Sequence, residues 1–344
     1  MTREAFGAEF LGADGFLNTP TYGLPPRFLV DALLDIIGRW QNGTMDVPSF
    51  DEQVRAGRAG YAALIGLPVD SVAMGGTVSS VLGLVAAAIP DGSRVLTLPG
   101  EFTSTTFPFA AQAARGVTVT ELPADELVSA AADFDVVAAS LVQSANGAVL
   151  DMDTLRTHVA GTETLTVIDI TQALGWKHAD IGWVDVTAAA VYKWLLSPRG
   201  TAWMSLSDRV SRIMTPHAAN WYAAEAPWQT IYGLPLRLAD SARRFDVSPT
   251  WFSALGAGLA LPWLASLDRD AVQAHCLGLA NRLRVELDLP QQDSAIVSIP
   301  IEGAADKLQR VGIRASIRAG AIRVGFHLYN NENDLDRLFD ALRA

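Results

Sequence analysis

The sequence predicts an α/β protein with a mostly parallel sheet in its larger part and a smaller α+β part at the C-terminus. Over residues 70–207, short apolar runs alternate with helical stretches, which indicates parallel strands covered by helices on both faces. From Ala295 the pattern changes to short strands and one last helix. We place residues 1–245 in an N-terminal segment plus a large domain, and residues 246–344 in a small domain.

Three helices and one loop are expected before the sheet. Residues 1–16 predict a short helix, and the turn-rich Phe16–Pro26, with three prolines and one glycine, predicts a connection. Arg27–Trp40 and Phe50–Ile65 carry apolar residues at helical spacing.

The sheet is expected to begin in Val72–Pro90, where a short strand runs into Gly75-Gly76-Thr77 and then into an apolar helix. The remaining predicted strands are Arg94–Pro99, Val117–Leu122, Val136–Gly147 (which ends in a polar loop), Leu165–Ile170, Val184–Val191 and Gly200–Leu206. Predicted helices of this part and the next are Ala124–Ala132, Leu155–Ala160, Ala257–Leu267 and Arg269–Leu287. Thr215–Pro235 lacks clean periodicity and is either a substrate or subunit-contact loop or an apolar surface excursion.

Composition limits the function classes. The 344 residues carry 26 basic and 37 acidic side chains, so a net charge of −11 argues against nucleic-acid or anionic-membrane partners. Cys276 is the only cysteine, which excludes an intramolecular disulfide and a cysteine-based metal cluster. The five histidines show no paired ligand spacing, so a metal hydrolase is disfavoured. We expect a soluble, cytoplasmic protein, because no signal peptide is evident and the apolar runs are too short to span a bilayer.

Lys193 is the first candidate catalytic residue. It follows an apolar run and lies between Tyr192 and Trp194-Leu195-Leu196, and burying an ammonium lowers its pKa. A lysine with a lowered pKa can form an imine with an aldehyde. Asp169, at the end of the preceding strand, could meet the far side of the same ligand. We interpret the pair as a pyridoxal 5′-phosphate (PLP) site, with Lys193 as the Schiff base and Asp169 as the partner of the pyridinium nitrogen.

Other candidates surround this pair. Gly76, Thr77 and Ser79 open a helix whose N–H groups would attract an anion, although a simple capping turn explains the motif equally well. Phe102 follows a strand end, where α/β folds place ligand groups, and could lie over a planar cofactor or belong to the core. Tyr22 could line a site or merely order its loop.

With these residues in place, the chain resembles class V aminotransferases of PLP fold type I, the cysteine desulfurase, kynureninase and isopenicillin N epimerase-like group. The resemblance covers most of the chain and is most specific in Asp169-x-x-Gln172, YKWLLSPRG around Lys193, ARRFDVSPT and IRVGFHLYN. It implies a seven-stranded large domain, PLP as cofactor, an amino-acid substrate and a homodimer.

The resemblance also implies roles for individual residues. Gln172 would reach the phenolic oxygen of PLP, Phe102 would stack on its ring, and Ser144 and Tyr192 would lie beside it. Arg323 would clamp the substrate α-carboxylate, with Arg318 and Tyr22 on the substrate side. Ser248 and Thr250 are candidates for binding phosphate, in the neighbouring subunit if the protein is a dimer.

Departures from the family pattern reduce the number of reactions that the resemblance allows. Ala190 replaces a hydroxyl residue, and Tyr192 and Phe102 replace the histidines of desulfurases, as in the kynureninase and epimerase branches. No cysteine lies between Arg318 and Arg323, where a desulfurase presents its thiol. We therefore expect β-elimination, a C–S lyase reaction on a cysteine S-conjugate. The alternatives are a class V aminotransferase and a non-catalytic, PLP-free binding protein of the same fold.

Overall fold

The central feature of the computed structural model is a seven-stranded sheet between helices; the structure describes residues 2–301 and 303–343. The strands are β1 (Thr2–Ala5), β2 (Ala8–Leu11), β3 (Val72–Gly75), β4 (Arg94–Thr97), β5 (Thr118–Glu121), β6 (Val136–Ser140), β7 (Leu165–Asp169), β8 (Val186–Ala190), β9 (Ala202–Leu206), β10 (Ile296–Ile299), β11 (Ser316–Arg318) and β12 (Ala321–Gly325). The helices are α1 (Arg27–Gln41), α2 (Phe50–Ile65), α3 (Val78–Ala88), α4 (Thr103–Ala110), α5 (Ala124–Ala130), α6 (Met152–Val159), α7 (Asp208–Ile213), α8 (Trp251–Ser266), α9 (Arg269–Glu286), α10 (Ala304–Arg310) and α11 (Glu332–Arg343).

The large sheet has the order β3-β9-β8-β7-β6-β4-β5. Strands β4 to β8 are mutually parallel, whereas β9 is antiparallel to both β8 and β3. The expectation of a mostly parallel sheet is confirmed. The strands β6 to β9 are buried along their whole length except at one edge residue, because helices cover both faces.

A second, three-stranded antiparallel sheet forms in the C-terminal part, in the order β10-β12-β11. It packs on α9 and α11 around a separate apolar cluster that includes Leu283, Val324 and Leu338. Besides the last helix, this part contains α10, a helix that the sequence pattern did not predict.

The predicted helix over residues 1–16 is wrong. Residues 2–11 form an antiparallel hairpin, β1 and β2, in which Ala8 and Phe10 are buried while Glu9 and Leu11 are exposed. This period of two is that of a strand, and Gly7 takes the left-handed backbone conformation that the tight turn needs. The hairpin lies against the protein through Phe10, which contacts the Tyr329 ring.

The Phe16–Pro26 loop runs across the turn that contains Lys193. The backbone N–H of Gly23 donates to the Tyr192 carbonyl at 2.9 Å. A Cβ at position 23 would overlap the Lys193 carbonyl oxygen, so only glycine permits this approach. The loop therefore fixes the position of the lysine turn.

Helix α8 begins at Trp251, earlier than the predicted Ala257, and packs closely on α2. Gly60 on α2 lies against the backbone of Leu261 and Pro262, where a side chain would collide. None of the described helices is long and apolar enough to cross a membrane.

Candidate active site

Lys193 and Asp169 meet because their strands are neighbours. Asp169 is the last residue of β7, and Lys193 lies three residues beyond the end of β8, which pairs in parallel with β7. The carboxyl ends of parallel strands lie at one edge of a sheet, where α/β folds bind their ligands. The loops after β3, β4 and β6 reach the same edge.

The Lys193 side chain is buried, with 5% of the residue exposed. Its Nζ lies 5.2 Å from the centre of the Phe102 ring and 5.8 Å from that of Tyr192. Desolvation by burial lowers the pKa of Lys193 to about 8; the Asp169 carboxylate opposes this change, and Arg323, Arg318 and Arg199 add to it. The free amine that attack on an aldehyde requires is thus far more populated near neutral pH than in a lysine of ordinary pKa, although the protonated form still predominates below pH 8.

Asp169 is held by two hydrogen bonds. Thr105, on α4, donates to Oδ2 at 3.1 Å, and the backbone N–H of Thr171 donates to Oδ1 at 2.8 Å. These bonds fix the orientation of a carboxylate that is 5% exposed and opens on the cavity beside Lys193. An acid in this position can face a pyridinium nitrogen.

The Gly75-Gly76-Thr77 turn forms the start of α3. Thr77 caps the helix: its Oγ1 accepts the N–H of Ser80, and the Ser80 hydroxyl accepts the N–H of Thr77. Gly76, Thr77 and Ser79 all line the cavity. The Thr77 and Ser79 hydroxyls share a hydrogen bond at 3.1 Å, so the free N–H groups of the first turn and one O–H of this pair are available to an anion there.

The buried pair Arg58–Asp246 holds this turn in place. Asp246 also accepts the N–H of Met74 at 2.8 Å, and the next residue, Val247, donates to the Met74 carbonyl. The ARRFDVSPT segment is thereby attached to β3 immediately before the glycines.

The cavity that these groups enclose has a volume of about 270 Å³. It is lined by Gly76, Thr77, Val78, Ser79, Phe102, Thr103, Ser104, Ser140, Ser144, Asp169, Thr171, Gln172, Ala190, Tyr192, Lys193, Arg199 and Thr201. Its volume lies just below the usual range of small-molecule sites, roughly 300–1,000 Å³, so it suits a compact group.

Phe102 forms the outer wall and is 45% exposed. The buried Glu101 fixes it: one carboxylate oxygen accepts the Phe102 N–H at 2.9 Å, and the other accepts the Ser140 N–H at 2.7 Å. Burial raises the pKa of Glu101. The position over Lys193 fits an aromatic lid on a planar ligand.

Ser144 joins the cavity wall to Arg323. Its hydroxyl oxygen accepts hydrogen bonds from Gln172 Nε2 and from Arg323 Nη1, both at 3.0 Å, which leaves its O–H to donate. The second N–H of the Gln172 amide is bound to the Pro20 carbonyl, and its oxygen accepts the indole N–H of Trp194. Both amide N–H groups of Gln172 are engaged, and Ser144 presents the available donor.

Arg323 lies behind Ser144 and is 1% exposed. It donates to the Ser144 carbonyl and to Thr21 Oγ1, and its Nε has no hydrogen-bond partner. It pairs with no carboxylate of the described residues. Burial lowers the pKa of Arg323 to about 10. A buried guanidinium without a counter-ion is suited to an anionic ligand.

Five of the predicted site residues do not line the cavity; Arg323, behind Ser144, is one of them, and the other four are Tyr22, Arg318, Ser248 and Thr250. Tyr22 is half-exposed and lines an adjoining apolar groove that shares Tyr192 and Arg199 with the cavity. Arg318 is exposed at the end of β11 and donates to the Ile317 carbonyl. Ser248 and Thr250 are exposed as well. Their proposed contact with a partner subunit, like the homodimer itself, stays a prediction.

The sequence reasoning missed Glu101, Thr105, Arg199 and Thr201. Thr105 lies one helical turn after Phe102, a spacing that could have indicated a shared face. Arg199 is the penultimate residue of YKWLLSPRG, and its charge beside Gly200 was the signal that could have indicated a site residue. Nothing in the sequence distinguished Glu101 or Thr201 from packing residues.

The residues present fit PLP. Lys193, Asp169, the Phe102 ring and the start of α3 all line one cavity. The Thr201 hydroxyl is buried without a partner, as expected of a group that awaits a polar ligand. Fold and site together define a PLP-dependent enzyme of fold type I.

The class V aminotransferase family matches residues 48–300, and the chain belongs to it. Among relatives, it is 26% identical to a probable hercynylcysteine sulfoxide lyase of Mycobacterium tuberculosis (84% of this chain, 79% of the relative). It is 24% identical to the uncharacterized aminotransferase YcbU of Bacillus subtilis (85% and 84%). The solved structure of the cystine C-S lyase C-DES with cysteine persulfide matches with a TM-score of 0.84 at 18% identity, covering 96% of this chain and 98% of that one.

Proposed function

We propose that this enzyme is a PLP-dependent lyase that cleaves the C–S bond of a cysteine S-conjugate by β-elimination. The overall reaction consumes one water and yields a thiol, pyruvate and ammonium. The names of two relatives, a sulfoxide lyase and a cystine C-S lyase, support this class of substrate.

The observation that carries the proposal is the position of the single thiol. Cys276 lies on α9, is 0% exposed and lines no part of the cavity; burial raises its pKa. The β11–β12 hairpin, where a desulfurase would carry its thiol, turns through Ala319 and Gly320 alone. No thiol is therefore placed to accept sulfur from the substrate, which favours elimination over desulfuration.

The chain's own residues perform the acid–base and binding work. PLP, when bound, supplies the electron sink for the pair released at Cα. Lys193 would hold the cofactor aldehyde, and its free amine would act as the base that removes the Cα proton. The electron pair of the Cβ–S bond leaves with sulfur, and the protonated Lys193 can return the proton to it. Asp169 would hold a proton on the ring nitrogen, and Arg323 with Ser144 would orient the α-carboxylate.

A substrate panel tests this reaction. The holoenzyme, incubated with S-alkyl- and S-arylcysteines and their sulfoxides, should release pyruvate, ammonia and the sulfur product in equal amounts. Ser- and Ala-derived controls without a sulfur leaving group should give none. An aminotransferase, the second candidate suggested by the Bacillus relative, would instead convert the cofactor to its pyridoxamine form and need a keto acid to recover. That outcome would contradict the lyase proposal.

Cofactor capture should depend on pH through Lys193. The pKa of Lys193 is about 8, so the amine is mostly protonated below pH 8 and mostly free above it. The rate at which apoenzyme binds PLP covalently should rise with pH and level off above about 8.5. Stopped-flow absorbance on mixing apoenzyme with PLP measures this rate. A profile that still rises tenfold per pH unit above 9 would indicate an unperturbed lysine.

A further inference from the structure

We infer that Arg199 is a cofactor-phosphate residue of this chain, compensating for donors that the lysine strand lacks. The inference rests on the proposed PLP site and concerns how that site holds the anionic end of the cofactor. Three observations support it: the position of Arg199, its lack of a counter-ion, and the side chains around it.

Arg199 lies on the loop that faces the glycine turn. A Cβ at Gly76 would meet the Gly200 carbonyl oxygen at 3.9 Å, so the two loops run alongside each other. Arg199 lines the same cavity as Gly76, Thr77 and Ser79, where the helix start would bind a phosphate. Its guanidinium carbon lies 5.2 Å from the centre of the Tyr192 ring, and this stacking holds the side chain against the cavity wall.

The charge of Arg199 is available to a ligand. It forms no ion pair with a carboxylate of the described residues, although the chain is acidic overall and fifteen such pairs hold other basic side chains. Lys193 and Arg199 are the basic residues among those that line the cavity. Lys193 has to lose its proton to react, so Arg199 is the permanent cation of the cavity.

The other side chains around the cavity do not supply enough positive charge and hydrogen-bond donors for a phosphate. Ala190, on the lysine strand, offers the cavity a methyl group where a hydroxyl would donate, and Tyr192 offers one phenol. A phosphate monoester carries roughly −1.5 to −2 charges near neutral pH, and one helix start with two hydroxyls neutralises only part of that. An arginine fork forms two charge-assisted hydrogen bonds with phosphate.

Equilibrium titration of apoenzyme with PLP and with pyridoxal, which lacks the phosphate, tests the inference. For Arg199→Ala the dissociation constant of PLP should rise about ten- to a hundredfold, while that of pyridoxal stays within about twofold. For Arg199→Lys the dissociation constant of PLP should lie between those of the wild type and Arg199→Ala, because lysine keeps the charge but cannot form the paired hydrogen bonds of a guanidinium. Arg212→Ala, on α7 with a side chain that is 79% exposed, is the matched control and should leave both constants unchanged.

Three outcomes would overturn the inference. Equal weakening of PLP and pyridoxal would mean that Arg199 acts by placing Tyr192 or Lys193. An unchanged PLP constant with a raised KM for substrate would assign Arg199 to substrate binding in the adjoining groove. No change in either would remove it from the site. If wild-type protein fails to bind PLP at all, the proposed function fails, and that result is distinct from all three.

Discussion

Lys193→Ala should lower the rate of substrate turnover at least about a thousandfold, since it removes both the cofactor attachment and the general base. The side chain is buried beside Phe102 and Asp169, and the other two lysines, Lys177 and Lys307, do not line the cavity. Steady-state release of pyruvate measures the loss.

The structural part of this prediction is tested by chemical trapping. Borohydride reduction of the wild-type holoenzyme should label the peptide that contains Lys193, and the alanine variant should carry no label. Lys307→Ala, on α10 in the C-terminal part, is the matched control and should keep both label and activity. A label on another peptide in wild-type protein would refute the assignment of Lys193.

Arg323→Lys should lower kcat/KM for the amino-acid substrate about a hundred- to a thousandfold, because a lysine cannot reproduce the two hydrogen bonds by which the guanidinium would hold the proposed carboxylate. The wild-type side chain is held by Ser144 and Thr21, with Nε unpartnered toward the interior. The substitution should therefore impair substrate binding and orientation and leave cofactor attachment unchanged.

A substrate analogue without a carboxylate distinguishes carboxylate binding by Arg323 from a general structural role of this residue. The wild type should strongly prefer a cysteine S-conjugate to the matching S-substituted cysteamine, which lacks the carboxylate, and Arg323→Lys should lose most of that preference. A thermal unfolding scan checks that the variant folds. If the substitution lowers kcat/KM equally for both substrates, Arg323 positions Ser144 and does not bind the carboxylate.

The sequence was sufficient to predict the sheet and the two central residues. Asp169 and Lys193 each follow an apolar strand, and the end of a buried parallel strand is a position that local pattern alone defines. Family membership then followed from motifs around the same residues. The N-terminal hairpin was mistaken for a helix because its strands have only four residues each, too short for their alternation to stand out.

The rest of the site depends on contacts between distant segments. Thr105 reaches Asp169 across 64 residues and Arg323 reaches Ser144 across 179, and no local spacing encodes such pairs. Exposure is equally non-local: the family resemblance gave Tyr22 and Arg318 a substrate role, and the structure shows that both are exposed and do not line the cavity.

The close approach of Gly23 to the lysine turn limits how this enzyme can admit its substrate. The loop contacts the Lys193 carbonyl through Gly23 and donates a hydrogen bond to the Tyr192 carbonyl. A movement of the loop would therefore also displace Lys193. The Phe16–Pro26 loop is thus expected to stay in place when the substrate enters. Phe102 lines the cavity and is 45% exposed, so rotation of its ring could widen the cavity without moving this loop.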